Sequence, residues 1–266
     1  MPSIFVNGVN LYYEDQGTGE ETIVFAHGLL WSHKMFESQI SALSKNYRVI
    51  AYDHRGQGKS EVKAPFDMDT VADDAIALIE TLDLGKVHFA GLSMGGFVGM
   101  RLAARRPDLV KSLILLETSA NAEPVENLPK YKTINGIVKW VGIIPPVANK
   151  VMHIMFAESW LEDKANQSAI KRWKKELMGN RKSITGPVEG VIYRKGVEEE
   201  LGRIACPTLV IVGDEDVATK PEKAKVIQMG IPGARLHVIP GAGHSSCIEK
   251  PVIVSQLLKD WLQARS

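Results

Sequence analysis

The sequence predicts an α/β fold: a mostly parallel, eight-stranded sheet with helices on both faces and a helical insertion between strands six and seven. Two observations lead to this prediction. Short β-type runs alternate with longer stretches of helical periodicity. Several of the short runs contain only apolar residues, which is typical of strands covered on both faces. The chain has 266 residues, enough to bury the core of such a fold without disulfides or metal.

The first two strands are expected to form an antiparallel hairpin. Asn7-Gly8 lies between the runs Ile4–Val6 and Leu11–Glu14, and this dipeptide is a strong hairpin-turn signal. Six more strands are predicted at Thr22–Ala26, Arg48–Tyr52, Lys86–Gly91, Ser112–Glu117, Thr208–Gly213 and Arg235–Ile239. Helices are predicted at Met68–Leu82, Met94–Arg106 and Pro251–Trp261.

The alternation stops between residues 119 and 202, where no strand is indicated and prolines cluster. We predict that this segment is a helical lid over a core formed by residues 1–118 and 203–266. Apolar residues recur at helical spacing in two stripes: Ile137, Trp140, Val141 and Ile144, and then Val147, Val151, Ile154 and Met155. The predicted substrate pocket is apolar and is lined by Trp31, Ile137, Trp140, Val141, Ile144 and Met155.

Composition excludes several classes of function. The 32 basic and 31 acidic residues give a formal charge of +1, which provides no attraction for nucleic acid. No stretch approaches the roughly 20 apolar residues that a membrane span requires. The N-terminus lacks a secretory signal pattern, and Cys206 and Cys247 show no metal-ligand spacing. We therefore expect a cytoplasmic protein with free thiols and no bound metal.

The central chemical motif is Gly91-Leu92-Ser93-Met94-Gly95-Gly96. It matches the pattern Gly-x-Ser-x-Gly and lies directly between a predicted strand and a predicted helix, the context of a nucleophile elbow. Small residues on both sides of Ser93 allow a sharp turn. Ser93 is therefore the candidate nucleophile.

A serine hydroxyl needs a base within hydrogen-bond reach, and the base needs an acceptor that orients it. Among seven histidines, His244 stands out because it lies in a glycine-rich loop just after the last predicted strand. Asp216 follows another strand at the same edge and is the favoured acid. Asp214, Glu215 and especially Glu117, which ends a strand at this edge, remain alternatives.

A developing oxyanion needs two preorganised donors. One is expected to be the backbone N–H of Met94, the residue after the nucleophile. The other is assigned to the N–H of Leu29, in the loop His27-Gly28-Leu29-Leu30-Trp31 that follows the third strand.

Together, these segments resemble the α/β-hydrolase superfamily. The matching stretches are His27-Gly28, Asp53–Ser60, Gly91–Gly96, Gly213–Asp216 and Gly243-His244. The order Ser93, Asp216, His244 is also the order of that fold. The chain is similar to small bacterial esterases, enol-lactonases, acyl-homoserine lactonases and cofactor-free haloperoxidases. The resemblance implies that Asp53–Ser60 is scaffolding, although its glycines also suggest a phosphate loop; the spacing for such a loop is absent.

The expected activity is hydrolysis of a small carboxylic ester or lactone with an apolar acyl part, through an acyl-enzyme on Ser93 and without a cofactor. Perhydrolysis by the same three residues is an alternative. A hydrolase-fold receptor that binds a ligand with little turnover is an alternative of a different class. The oligomeric state is left open.

Overall fold

The computed structural model describes residues 2–265 and confirms the predicted α/β fold. One eight-stranded sheet has the order β1-β2-β4-β3-β5-β6-β7-β8. Strand β2 pairs antiparallel with β1 and β4, and every later pairing is parallel. The strands are β1 Ser3–Val6, β2 Val9–Gln16, β3 Thr22–Ala26, β4 Arg48–Tyr52, β5 Val87–Leu92, β6 Val110–Leu116, β7 Thr208–Gly213 and β8 Arg235–Ile239.

The three predicted helices begin at the predicted residues and end within two residues of the predicted ends, whereas the other helices that flank the sheet were not predicted. Asp67 caps the second helix, because its side chain accepts a hydrogen bond from the Thr70 N–H at 2.9 Å. The helices are α1 Glu37–Leu43, α2 Met68–Thr81, α3 Met94–Arg105, α4 Leu128–Val141, α5 Pro145–Met155, α6 Glu158–Glu162, α7 Gln167–Met178, α8 Thr185–Ile192, α9 Pro221–Gly230, α10 Ser246–Glu249 and α11 Pro251–Gln263.

The core lies on both faces of the sheet, because successive side chains of a strand point to opposite sides. In β3, Phe25 packs into one buried cluster and Val24 into the other. Helices α2, α3 and α9 contribute to the same cluster as Val24, and α1 and α11 to the cluster of Phe25. Burial of each such side chain stabilises the fold by about 1.5–3 kcal/mol.

Between β6 and β7, the described chain contains helices α4 to α8 and short 3-10 turns but no strand. Helix α4 packs on α8, and α5 packs on α7. Several apolar residues of this insertion belong to the same buried cluster as β3 Phe25. The division into core and lid, and any opening of the insertion, stay predictions.

Candidate active site

Ser93 occupies the sharp turn between β5 and α3. Its φ of 52° and ψ of −109° lie in a region that side chains rarely adopt. Crowding enforces glycine on both sides: a Cβ on Gly95 would lie 2.0 Å from the Ala26 carbonyl oxygen, and one on Gly91 would lie 2.2 Å from that of Gly95. The turn leaves Ser93 partly exposed in the wall of a cavity of about 150 Å³.

His244 lines the same cavity as Ser93 and is paired with Asp216. The distance from His244 Nδ1 to Asp216 Oδ2 is 2.9 Å, and both side chains are buried. Asp216 also accepts hydrogen bonds from the N–H groups of Ala218 and Thr219, and from the Thr219 hydroxyl. Burial raises the pKa of Asp216, but the charge and hydrogen bond of His244 and the bonds from Thr219 outweigh it. The net pKa lies below the ordinary value, so Asp216 is ionised at neutral pH and suited to hold an imidazole by its Nδ1–H.

The other three carboxyl groups at this edge have different contacts. Asp214 accepts from a backbone N–H of the loop before His244, and Glu215 accepts from a serine of the insertion. Glu117 is fully buried and makes no hydrogen bond to His244 within residues 2–265. Burial raises the pKa of Glu117 well above its ordinary value, and the nearby charge of Asp216 raises it further. The structure therefore brings Asp216, and not Glu117, to His244.

The predicted oxyanion donors lie on the two segments that flank Ser93. The loop after β3 touches the nucleophile, since a Cβ on Gly28 would lie 3.6 Å from the Ser93 Cβ. Leu29 lines the cavity. Met94 begins α3, where helix N–H groups have no partner within the helix. These positions fit two donors beside Ser93, and their role stays a prediction.

Gln57, in the glycine-rich loop after β4, braces both of these segments. Its Oε1 accepts from the Leu30 N–H at 2.8 Å, and its Nε2 donates to the Met94 sulfur at 3.2 Å. The side chain of Met94 is thereby turned into the core and away from the cavity. The loop Asp53–Ser60 thus has a supporting position beside the site, as the scaffolding interpretation implies.

His27 and His54, which are both fully buried, hold the loop after β3 against the loop after β4. The His54 N–H donates to His27 Nε2 at 3.0 Å, and His27 Nδ1 lies 2.7 Å from the Gly28 carbonyl oxygen. Burial lowers the pKa of both imidazoles. Neutral histidines in this position support the loop and leave His244 as the base candidate.

Sequence reasoning missed Glu249. Its carboxylate accepts hydrogen bonds from the N–H groups of Gly243 and Ser245, on either side of His244, and from Ala157 of the insertion. The contact is close, because a Cβ on Gly243 would lie 2.3 Å from the Ala157 nitrogen. Glu249 therefore ties the loop of His244 to the insertion. The sequence does contain one indication of this role: a carboxylate lies five residues after His244, just before the helix that begins at Pro251.

The predicted pocket was wrong for one face of α4. The exposed fraction of Trp140 is 79%; Ile137 and Val141, and Ile144 just beyond the end of α4, are also exposed and do not line the cavity. A different face of α4 lines it, through Tyr131, Ile134, Asn135 and Val138. Both sets have the spacing i, i+3, i+4, i+7, so periodicity alone could not choose between them. Met155 does line the cavity, together with Val147, Val151 and Ile154 of the second predicted stripe.

Trp31 was also wrongly placed in the pocket. Leu30 has a φ of 72°, and this turn sends Trp31 away from Ser93. Its ring packs edge-on against Trp173 at 5.4 Å between centroids, and it lines a neighbouring cavity of about 310 Å³ that also contacts Lys59 and Arg181.

Two features that the sequence analysis did not expect are a metal site and a membrane-spanning helix. No cluster of three or more His, Cys, Asp or Glu suited to a metal ion is found in residues 2–265. Within the same range, every helix is too short or too polar to cross a bilayer. Cys206 and Cys247 are both free thiols.

Comparisons with known proteins agree with this architecture. A family model described as the alpha/beta hydrolase fold matches residues 21–142. An AB hydrolase superfamily protein of Bacillus subtilis, YisY, is 32% identical, with 94% of each chain covered. A thermophilic esterase from Thermogutta terrifontis has a TM-score of 0.92 at 28% identity, with all of both chains covered. An enol-lactonase from Burkholderia xenovorans has a TM-score of 0.90 at 29% identity, covering 98% of this chain and 100% of that one.

Proposed function

This chain belongs to the α/β-hydrolase superfamily, and we propose that it is a serine hydrolase of small carboxylic esters or lactones. The observation that carries the proposal is the Asp216–His244 pair at 2.9 Å, together with the largely apolar cavity that His244 and the strained Ser93 both line. The similarity to an esterase and to an enol-lactonase supports the class of substrate.

The proposed mechanism has two stages. His244 Nε2 accepts the proton of the Ser93 hydroxyl as Ser93 Oγ attacks the ester carbonyl carbon. The Leu29 and Met94 N–H groups stabilise the oxyanion, and His244 then gives its proton to the departing alkoxide. Water, deprotonated by His244, attacks the acyl-enzyme, and the carboxylic acid leaves as Ser93 regains its proton. For a lactone, the alkoxide and acid belong to one product molecule.

The proposal is tested by titration with diethyl p-nitrophenyl phosphate and by a substrate panel. We expect about one p-nitrophenol released per chain and a diethylphosphoryl adduct on the Ser93 peptide in mass spectra, because a triad serine reacts with phosphoryl esters as with acyl esters. The panel combines p-nitrophenyl acetate, butyrate and octanoate with five- and six-membered lactones. An adduct on another residue, or no turnover of any ester or lactone, would contradict the proposal.

Two neighbouring residues of α4 give a test of the corrected pocket. Val138 is 5% exposed and lines the cavity, whereas Ile137 is 43% exposed and does not. Val138→Phe is expected to lower kcat/KM for p-nitrophenyl octanoate about tenfold relative to the acetate ester, because the ring occupies part of a cavity of about 150 Å³.

Ile137→Phe is the matched control and is expected to leave the octanoate-to-acetate ratio unchanged. Thermal unfolding of both variants checks that overpacking at Val138 has not unfolded the chain. Equal ratios in the two variants would show that this face of α4 does not contact the acyl chain.

A further inference from the structure

An ion pair lies in the wall of the largely apolar cavity. Arg194 Nη1 is 3.0 Å from Glu123 Oε2, and their side chains are only 5% and 13% exposed. Both residues line the cavity that contains Ser93 and His244. Removing two charges from water is costly, and apolar residues of similar size often stabilise a fold equally well. Stability therefore gives no strong reason for a charged pair at this place.

Arg194 retains donor capacity after its internal bonds are counted. Its Nε donates to the Asn121 carbonyl, and its Nη1 donates to Glu123 and to the Val191 carbonyl. Its Nη2 donates to no residue in the described range 2–265. The guanidinium is a planar fork of five N–H donors, so two of the five are available to a ligand.

The guanidinium stacks on Phe97, a residue of α3 that follows the nucleophile. Its central carbon is 4.3 Å from the centre of the Phe97 ring, and Phe97 also lines the cavity. Phe97 is four residues after Ser93, and its N–H donates to the Ser93 carbonyl at 3.0 Å. Phe97 therefore lies one helical turn after Ser93, and its ring connects the guanidinium to the same wall of the cavity as the nucleophile.

A second polar group, Asn135, lines the same cavity. Asn135 lines the wall, is 7% exposed, and donates from its Nδ2 to the Thr185 carbonyl at 3.1 Å. Its Oδ1 is buried and has no partner among residues 2–265. A buried acceptor without a partner costs free energy unless a ligand or water supplies a donor; a hydroxyl on the substrate can supply it, whereas beside a ketone the donor must be water.

We propose that the preferred substrate carries a neutral oxygen, as a ketone or hydroxyl, a few carbons along its acyl chain, and that Arg194 Nη2 binds this oxygen. This inference rests on the proposed ester or lactone hydrolysis. A carboxylate is disfavoured at this place, because Glu123 already neutralises Arg194 and a second negative charge would oppose it. The apolar wall then contacts the methylene groups between the oxygen and the scissile carbonyl.

The test measures hydrolysis in a pH-stat and compares two ketone esters with their alkyl partners: methyl levulinate with methyl pentanoate, and methyl 6-oxoheptanoate with methyl heptanoate. Monomethyl glutarate serves as the charged probe. At least one ketone ester is expected to exceed its alkyl partner about tenfold in kcat/KM, since one hydrogen bond from a charged donor has about that effect. Monomethyl glutarate is expected to be the poorest substrate. Equal or lower kcat/KM for both ketone esters would overturn the inference while leaving ester hydrolysis intact.

The double variant Glu123→Gln/Arg194→Met removes both charges together and leaves no unpaired buried ion. We expect the preference for ketone esters to disappear, so that the ratio of kcat/KM between a ketone ester and its alkyl partner falls to one or below. Lys139→Met is the matched control, since it removes a charge from the exposed side of α4 and is expected to keep the wild-type ratio. A ketone preference that survives in the double variant would overturn the assignment to Arg194. Failure of every ester would instead contradict the proposed function.

Discussion

Replacing Ser93 with alanine is expected to lower kcat for p-nitrophenyl butyrate by at least about 10⁴-fold, and toward 10⁶-fold if the proposed triad acts as a unit. Without Oγ no acyl-enzyme forms, and the remaining donors can only bind substrate while water attacks. A residual rate above that of the uncatalysed reaction is expected, because the backbone donors of Leu29 and Met94 survive the change.

The fold is expected to tolerate this substitution. Alanine and serine both carry a Cβ, so the strain of the φ of 52° is the same in both proteins. The melting temperature should therefore stay within a few degrees of wild type, which separates loss of chemistry from loss of structure. Ser168→Ala, at an exposed serine of the insertion, is the control and should retain full activity. A Ser93→Ala variant with more than about one hundredth of wild-type turnover would exclude Ser93 as nucleophile.

Asp216→Asn is expected to lower kcat by about 10⁴-fold. The asparagine amide can donate to His244 Nδ1, which then becomes the acceptor nitrogen and leaves the proton on Nε2. An imidazole in that tautomer cannot accept the proton of Ser93. The bonds from Ala218 and Thr219 to the side-chain oxygen can persist, so the turn after β7 should keep its shape.

Glu117→Gln is the matched control for Asp216→Asn. Glu117 is buried, and burial raises the pKa of its carboxyl group well above the ordinary value, which favours the neutral form; the neutral amide of glutamine is close to that form in shape. We expect its kcat to stay within a few-fold of wild type. The reverse pattern, with a severe loss at Glu117 and little at Asp216, would transfer the role of the orienting acid to Glu117. Activity is measured with p-nitrophenyl butyrate, and folding by circular dichroism.

The elements that depend on local chemistry could be predicted from the sequence. Asn7-Gly8 determined the hairpin, and the apolar run before Gly91 determined a buried strand with a sharp turn after it. A turn, a cap or a buried strand depends on residues that are adjacent in the chain. His244 and Asp216 could also be placed, because the carboxyl ends of parallel strands meet at one edge of the sheet.

The wall of the cavity was decided only by the tertiary structure. Helix α4 has apolar residues on two faces, and packing against α8 turned Val138 inward and left Trp140 exposed. Glu123 and Arg194 are 71 residues apart, so neither neighbourhood predicts the other. The physical reason is the same in both cases. Periodicity specifies that a helix has an apolar face, but the partner that covers this face comes from a distant part of the chain and is known only once the chain is packed.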